Sequence, residues 1–216
     1  MKNKILGGLF LGLLFLLFLS PLQPAFAQDN KFIFAAQFDD VKSLSALINK
    51  GVNPNEGDVA RGETALMWCI RENSVRAFDY LLQLPQVDLN THAKNGDTAL
   101  MLASYLNKNV FAQKLIKAGA SINHEGWTAL HYAAVVGNVE VMELLLNNGA
   151  KVNALSPNKT TPLMMATRSG RVEIVELLIL HGADVKLKND LGMTAYDFAI
   201  QSEKLKVAEF LETLQK

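Results

Sequence analysis

Residues 127–155 read WTALHYAAVVGNVEVMELLLNNGAKVNAL, and the rest of the chain repeats that pattern. The stretch predicts one amphipathic helix, a tight turn at Gly137, a second amphipathic helix, and a loop opened by Gly149. Its opening Thr-Ala-Leu returns 33 residues later as Thr161-Pro-Leu, and after 33 more at Thr194. Earlier copies open at Thr98 and Thr64. A unit of this length cannot bury its own apolar face, so the copies must stack and share one elongated core.

Composition bounds what else the chain can be. The first 27 residues combine a basic start (Lys2, Lys4), an apolar run of 15 residues from Ile5 to Leu19, two prolines and Ala25-Phe26-Ala27. That order is a secretory signal peptide cleaved after Ala27, and the run is short of the roughly 20 residues a membrane helix needs. An uncleaved anchor is the alternative. The mature chain, 28–216, then carries 19 basic against 21 acidic residues, a balance that gives nucleic acid or an anionic membrane surface no reason to bind. A lone cysteine, Cys69, cannot form an internal disulfide, so packing alone must hold the core.

Taken in order, residues 30–62 form a degenerate first repeat without the Thr-initiated opening. In the second, 63–96, Pro85 replaces the usual helix-stopping glycine. The third, 97–126, has Asn107 between its helices, a residue tolerant of the left-handed conformation. The connection from Asn123 to Thr128 is three residues shorter than that from Asn153 to Thr161. The fourth, 127–159, is the most regular, and the fifth, 160–192, places Pro162 in the first helical turn, where its missing N–H costs nothing. The last, 193–216, puts Glu212 where Leu146 and Ile179 sit, which marks a C-terminal cap facing water.

These residues resemble the ankyrin-repeat family. Residues 128–153 follow T-A-L-H-x-A-A-x-x-G-x-x-E-V-x-x-L-L-x-x-x-G-A-x-V-N, close to that family's pattern. Ala65, Ala99, Ala129 and Ala195 stand where the family has Pro, and Met67, Met101 and Met164 where it has His. The resemblance implies an all-α solenoid of about five repeats plus the cap, with L-shaped helix pairs, projecting hairpin fingers and a concave protein-binding face. A periplasmic or secreted bacterial member is the subgroup it looks most like. It also implies that the residue before each Thr, and the two after each Ala-Ala pair, point into the concave groove. Those are Glu63, Arg71 and Glu72; Asp97, Tyr105 and Leu106; Trp127, Val135 and Val136; Thr160, Arg168 and Ser169; Met193, Gln201 and Ser202. The middle of this series is apolar and aromatic and its ends are polar, the composition of a binding hot spot within a polar rim. Tyr105, Leu106, Trp127, Val135, Val136 and Arg168 are therefore the candidate partner-binding residues. Trp127 has a second reading, since the short loop at 123–128 lets it fold down into the stack.

No pattern of enzyme chemistry accompanies the repeats. His131 belongs to the Thr-Ala-Leu-His opening, where it serves the backbone, while His92, His124 and His181 occupy separate loops or helix ends without metal-ligand spacing. Cys69 takes the place of Ala133, a small core position. Asp39, Asp40, Glu56 and Asp58 read as solvated loop charges. No phosphate loop or nucleophile elbow is present, so no catalytic residue, metal or cofactor is expected. The sequence points to a non-enzymatic interaction module, exported to the periplasm or beyond, a monomer or weak homodimer that binds a protein partner and, once cleaved, no membrane. The alternatives are a self-associating structural protein, or a small-ligand-binding protein or enzyme using the same groove.

Overall fold

The computed structural model describes residues 31–214. The expected signal peptide and its cleavage point lie outside the described residues. Helix α1 covers 31–37 and is followed by α2 (Val41–Ile48), α3 (Ala65–Glu72), α4 (Val75–Leu82), α5 (Ala99–Tyr105) and α6 (Asn109–Lys117). Next come α7 (Ala129–Val136), α8 (Val139–Asn147), α9 (Pro162–Thr167), α10 (Val172–Leu180), α11 (Ala195–Gln201) and α12 (Leu205–Thr213). The described residues form a helical repeat solenoid. None of their helices is long and apolar enough to cross a membrane.

Four of the first helices, α3, α5, α9 and α11, start by the same local chemistry. Thr64, Thr98, Thr161 and Thr194 are extended N-caps whose hydroxyl oxygens accept the backbone N–H three residues on. This satisfies a donor that the helix itself leaves orphaned. Between first and second helices the chain reverses through one left-handed residue per repeat: Asp39, Asn73, Asn107, Gly137, Gly170 and Glu203. Asn107, with φ 55°, takes the conformation expected of it, and only two of the six positions use glycine.

Stacking follows from residue size. The first helices α3, α5, α7, α9 and α11 each pack on the next, with Ala99, Ala103, Ala133, Ala134, Ala166 and Ala199 buried between them. Small side chains let these axes approach closely. The second helices supply larger residues, among them Phe78, Leu115, Met142, Leu145, Leu178 and Leu211, all buried. Phe78 and Phe111 meet edge to face at 4.7 Å between centroids, joining α4 to α6. Cys69 is fully buried, its Sγ 3.7 Å from the Ala36 carbonyl, and burial pushes its thiol up, away from thiolate chemistry.

The loops differ from the expected hairpin fingers. Among the described residues no strand forms, and the single β-bridge joins Gly57 to Thr64. The finger tips are tight turns instead: Ala93 N–H donates to the Asp97 carbonyl at 2.8 Å, Ser156 N–H to Thr160 at 3.0 Å and Asn189 N–H to Met193 at 3.0 Å. At the base of the loops runs a ladder of asparagines. Asn55 donates to the Gln86 carbonyl and accepts the Asp88 N–H, both at 2.7 Å. Asn123 does the same with Gly149 and Lys151, and Asn153 with Gly182 and Asp184. Asn90 makes half a rung, accepting the Ser121 N–H at 2.8 Å. Each rung ties one repeat to the backbone of its successor.

Loop acids that read as solvated are structural. Asp40 caps α2 through the N–H and hydroxyl of Ser43. Asp39 accepts the Ala77 N–H at 2.6 Å and pairs with Arg76, reaching into the next repeat. Asp58 accepts the N–H groups of Ala60, Arg61 and Glu63 and the indole N–H of Trp68. Burial opposes its ionisation, but these donors, led by Arg61, outweigh that and hold the carboxyl below its ordinary range.

Candidate functional site

The first helices expose a row of side chains on one face of the stack, and within it lies a cup beside α7. The cup has a volume of about 240 Å³ and is walled by Tyr105, Trp127, Tyr132, Val135, Met165 and Arg168, with His131 beneath. Three aromatic rings form its sides. Tyr105 and Tyr132 meet at 5.8 Å and 73°, and Trp127 lies 6.4 Å from Tyr132 and 5.2 Å from His131. Edge-on and tilted contacts of this kind suit the ring quadrupoles and fix the walls relative to one another.

Two polar anchors hold the cup in shape. The Tyr132 hydroxyl donates to Asp97 Oδ1, and the other Asp97 oxygen accepts Asn95 Nδ2 at 2.6 Å. Burial, and then the Asp97 carboxylate, push the Tyr132 phenol above its ordinary range, so it remains a neutral donor. Below, His131 is fully buried. The Thr128 N–H can only donate, and it sits 3.1 Å from His131 Nδ1, so that nitrogen carries the lone pair. The proton is on Nε2, which donates to the Thr160 carbonyl at 3.0 Å. One imidazole thereby joins the start of α7 to the loop before α9. Burial holds it down to about 4, against an ordinary 6.5, so it is neutral at physiological pH.

The structure brings four of the six sequence candidates together. Tyr105 is 51% exposed, Arg168 is exposed on the rim, and Trp127 and Val135 are half-buried walls. Trp127 thus satisfies neither simple reading: one side packs on His131 and Tyr132 and the other faces the cup. Leu106 and Val136 lie apart. Leu106 caps α5 and packs half-buried against the core, while Val136 lines a separate hollow with Asn107, Asn109 and Arg171. The groove series also needs correction at its ends. Glu63 is buried and held by Arg71, and Thr160 is buried with its carbonyl committed to His131.

Tyr132 and Met165 were not singled out from the sequence. Both fall four residues after the repeat's threonine, as do Trp68, Leu102 and Phe198. Reading this position down the repeats reveals a row of bulky side chains on the first helices. The structure also unites two histidines that the sequence separated, with the rings of His92 and His124 edge to face at 5.8 Å. Among the described residues no cluster of three or more His, Cys, Asp or Glu is arranged to hold a metal ion.

Comparison with known proteins places the whole arrangement. A model of three ankyrin-repeat copies matches residues 83–156 and 152–214, and a single-repeat model matches residues 61–91. Transient receptor potential cation channel subfamily A member 1 of Homo sapiens is 27% identical over 146 residues, 62% of this chain and 13% of that protein. Neurogenic locus notch homolog protein 1 of Homo sapiens is 30% identical over 135 residues, covering 61% of this chain and 5% of its own length. Neurogenic locus notch homolog protein 2 of Homo sapiens reaches 32% over 119 residues, 54% of this chain and 5% of the relative. The chain therefore spans only a small part of these relatives. Its period, its Thr-capped helix pairs and the family matches from residue 61 to residue 214 agree, and the chain belongs to the ankyrin-repeat family.

Proposed function

We propose that this chain is a non-enzymatic interaction module, exported from the cytoplasm, that holds a protein partner in the aromatic cup on its first-helix face. The observation that carries the reading is the wall of Tyr105, Trp127 and Tyr132 beneath a rim guanidinium, Arg168, that makes no ion pair among the described residues. Rigid aromatics offer large contact area with few rotors to freeze, and the tyrosine hydroxyl and indole N–H add polar groups that can hydrogen-bond a partner. Ankyrin repeats serve generally as protein-interaction modules, which agrees with this use. The export reading rests on residues 1–27, and the periplasm is the compartment it favours. Release outside the cell is the alternative.

Tyr105→Ala is the direct test, because that side chain is half exposed and removing it leaves the core intact. Retention of the partner captured by the wild type should fall by roughly thirtyfold, about 2 kcal/mol, at a thermal midpoint within a degree or so of wild type. Unchanged capture in both Tyr105→Ala and Arg168→Glu would remove the cup as the site. Light scattering on the purified chain tests the competing homodimer. N-terminal sequencing tests export, with Gln28 as the expected first residue and a chain retaining Met1–Leu19 in membranes as the contrary result.

A further inference from the structure

The second helices carry a different surface, on the side of the stack away from the cup. Across α8, α10 and α12 lies an open groove of about 540 Å³ with an apolar floor formed by Val139, Leu177, Ile179, Leu180 and Phe210. Glu143, Glu173 and Glu176 line its edges and make no ion pair among the described residues.

Leu177, Ile179 and Phe210 pack partly on the core, but Leu180 and the mid-helix carboxylates have no folding reason. Ile174, Val175 and Leu178 already give α10 its buried stripe, yet Leu180 is 82% exposed. One repeat away in either direction, the same position is Asn147 and Thr213, both polar and exposed. Glu140 and Glu173 sit in first helical turns, where the helix dipole favours an acid. Glu143, Glu176 and Glu209 sit mid-helix, where it does not, and recur at steps of 33. They form a column of carboxylates across three successive helices. The equivalent positions in the earlier repeats are Ser45, Asp79, which is paired with Lys114, and Gln113. Lys206 is the sole base in α8, α10 and α12.

We propose that this groove is a second docking surface, whose occupant is a basic amphipathic α-helix of a partner protein. Charge complementarity selects lysine or arginine, and the floor selects an apolar stripe. A helix fits where an extended segment does not. The groove's walls are helices with satisfied backbones, so a strand laid there would bury N–H and C=O groups without partners. An amphipathic helix arrives with its own backbone satisfied and docks by apolar anchors three, four and seven residues apart. Two helical turns rise about 10.5 Å, close to the roughly 10 Å between packed helices, so basic residues seven apart match the carboxylate column. Anionic lipid is disfavoured by the same acids.

The probe is a fluorescent Leu/Lys amphipathic helix of about 18 residues, titrated into the full chain and followed by anisotropy. Two controls are its Leu/Glu counterpart and a scrambled Leu/Lys peptide of equal composition. The expected result is saturable binding of the amphipathic basic helix alone. Leu180→Ser should weaken it by about fivefold and Glu143→Lys with Glu176→Lys by at least about tenfold. These side chains are exposed, so circular dichroism should be unchanged. Tyr105→Ala should bind the probe normally, which separates this surface from the cup. Equal binding of the scrambled peptide, or wild-type affinity in both groove variants, overturns the proposal. So does self-association lost in Leu180→Ser, which would make the occupant a second copy, or binding to phosphatidylglycerol vesicles, which would make it a membrane.

Discussion

Acidification should loosen this stack through His131. In the native chain burial holds that imidazole down to about 4, while an unfolded histidine has its ordinary 6.5. Between these values the unfolded chain binds the extra proton and the native one refuses it, so stability rises with pH across the window and is lost as pH falls. The structural reason is specific: a second proton on Nδ1 would face the Thr128 N–H at 3.1 Å, donor against donor. Integrating the two titrations from about pH 7.5 to about pH 5 gives a loss of about 2 kcal/mol, or a fall of roughly 4–8 °C in thermal midpoint for a chain this size. Asp40, Asp58 and Asp197 are shifted downward, so their contributions are lost only at more acid pH. The control comes from the protein itself. Met101 and Met164 stand at the equivalent position, where the sulfur accepts the threonine N–H at 3.2 and 3.4 Å. His131→Met keeps that contact but removes one of the two donors to the buried Thr160 carbonyl, which the Ser156 N–H still serves, costing about 0.5–1.5 kcal/mol at neutral pH. The variant should start lower and stay flat, so the two curves meet between pH ~5 and pH ~6. Thermal unfolding by circular dichroism at several pH values decides it. An equal slope in His131→Met, or a wild-type midpoint that does not move, would refute the reasoning.

Three other outcomes follow from contacts already described. Cys69→Ala should fold and bind as wild type with a loss of about 1 kcal/mol, and the native thiol should resist alkylation until the chain unfolds; rapid labelling of the folded protein would contradict this. Asp58→Ala strands the N–H groups of Arg61, Ala60, Glu63 and the Trp68 indole, and should cost about 1–2 kcal/mol. Indole fluorescence would report the freed ring, and an unchanged midpoint would show the donors turning to water. Ending the chain before Met193 uncovers the surfaces of α9 and α10 that α11 and α12 bury, and should produce aggregation in light scattering. A soluble truncation of equal stability would show that α11 and α12 are not a cap.

The period made the helices legible, because each threonine and each apolar spacing recurs in the same register. It also marked Tyr105, Trp127, Val135 and Arg168, since the repeat leaves those positions free. What stayed hidden depends on contacts between repeats. Asp39 and Asp58 looked like loop charges because their donors lie elsewhere in the loop or one repeat away. Glu63 looked available because nothing local announces its pairing with Arg71. Leu180 sits in a helix so apolar that it looks like core. Only the packing shows which of the apolar residues in VEIVELLIL the core fails to cover.

The asparagine ladder has a consequence for how such a chain can grow. Every rung runs forward, from a side chain of one repeat to the backbone of the next. Four residues after Gly51, Gly119 and Gly149 stands an asparagine, but four after Gly182 stands Lys186. A whole unit inserted ahead of Lys186 would find a hand held out behind it and would offer one in front. The interior junctions of the array are thus tied by a contact that the junction at Lys186 lacks, and a new unit fits best where the tie already exists.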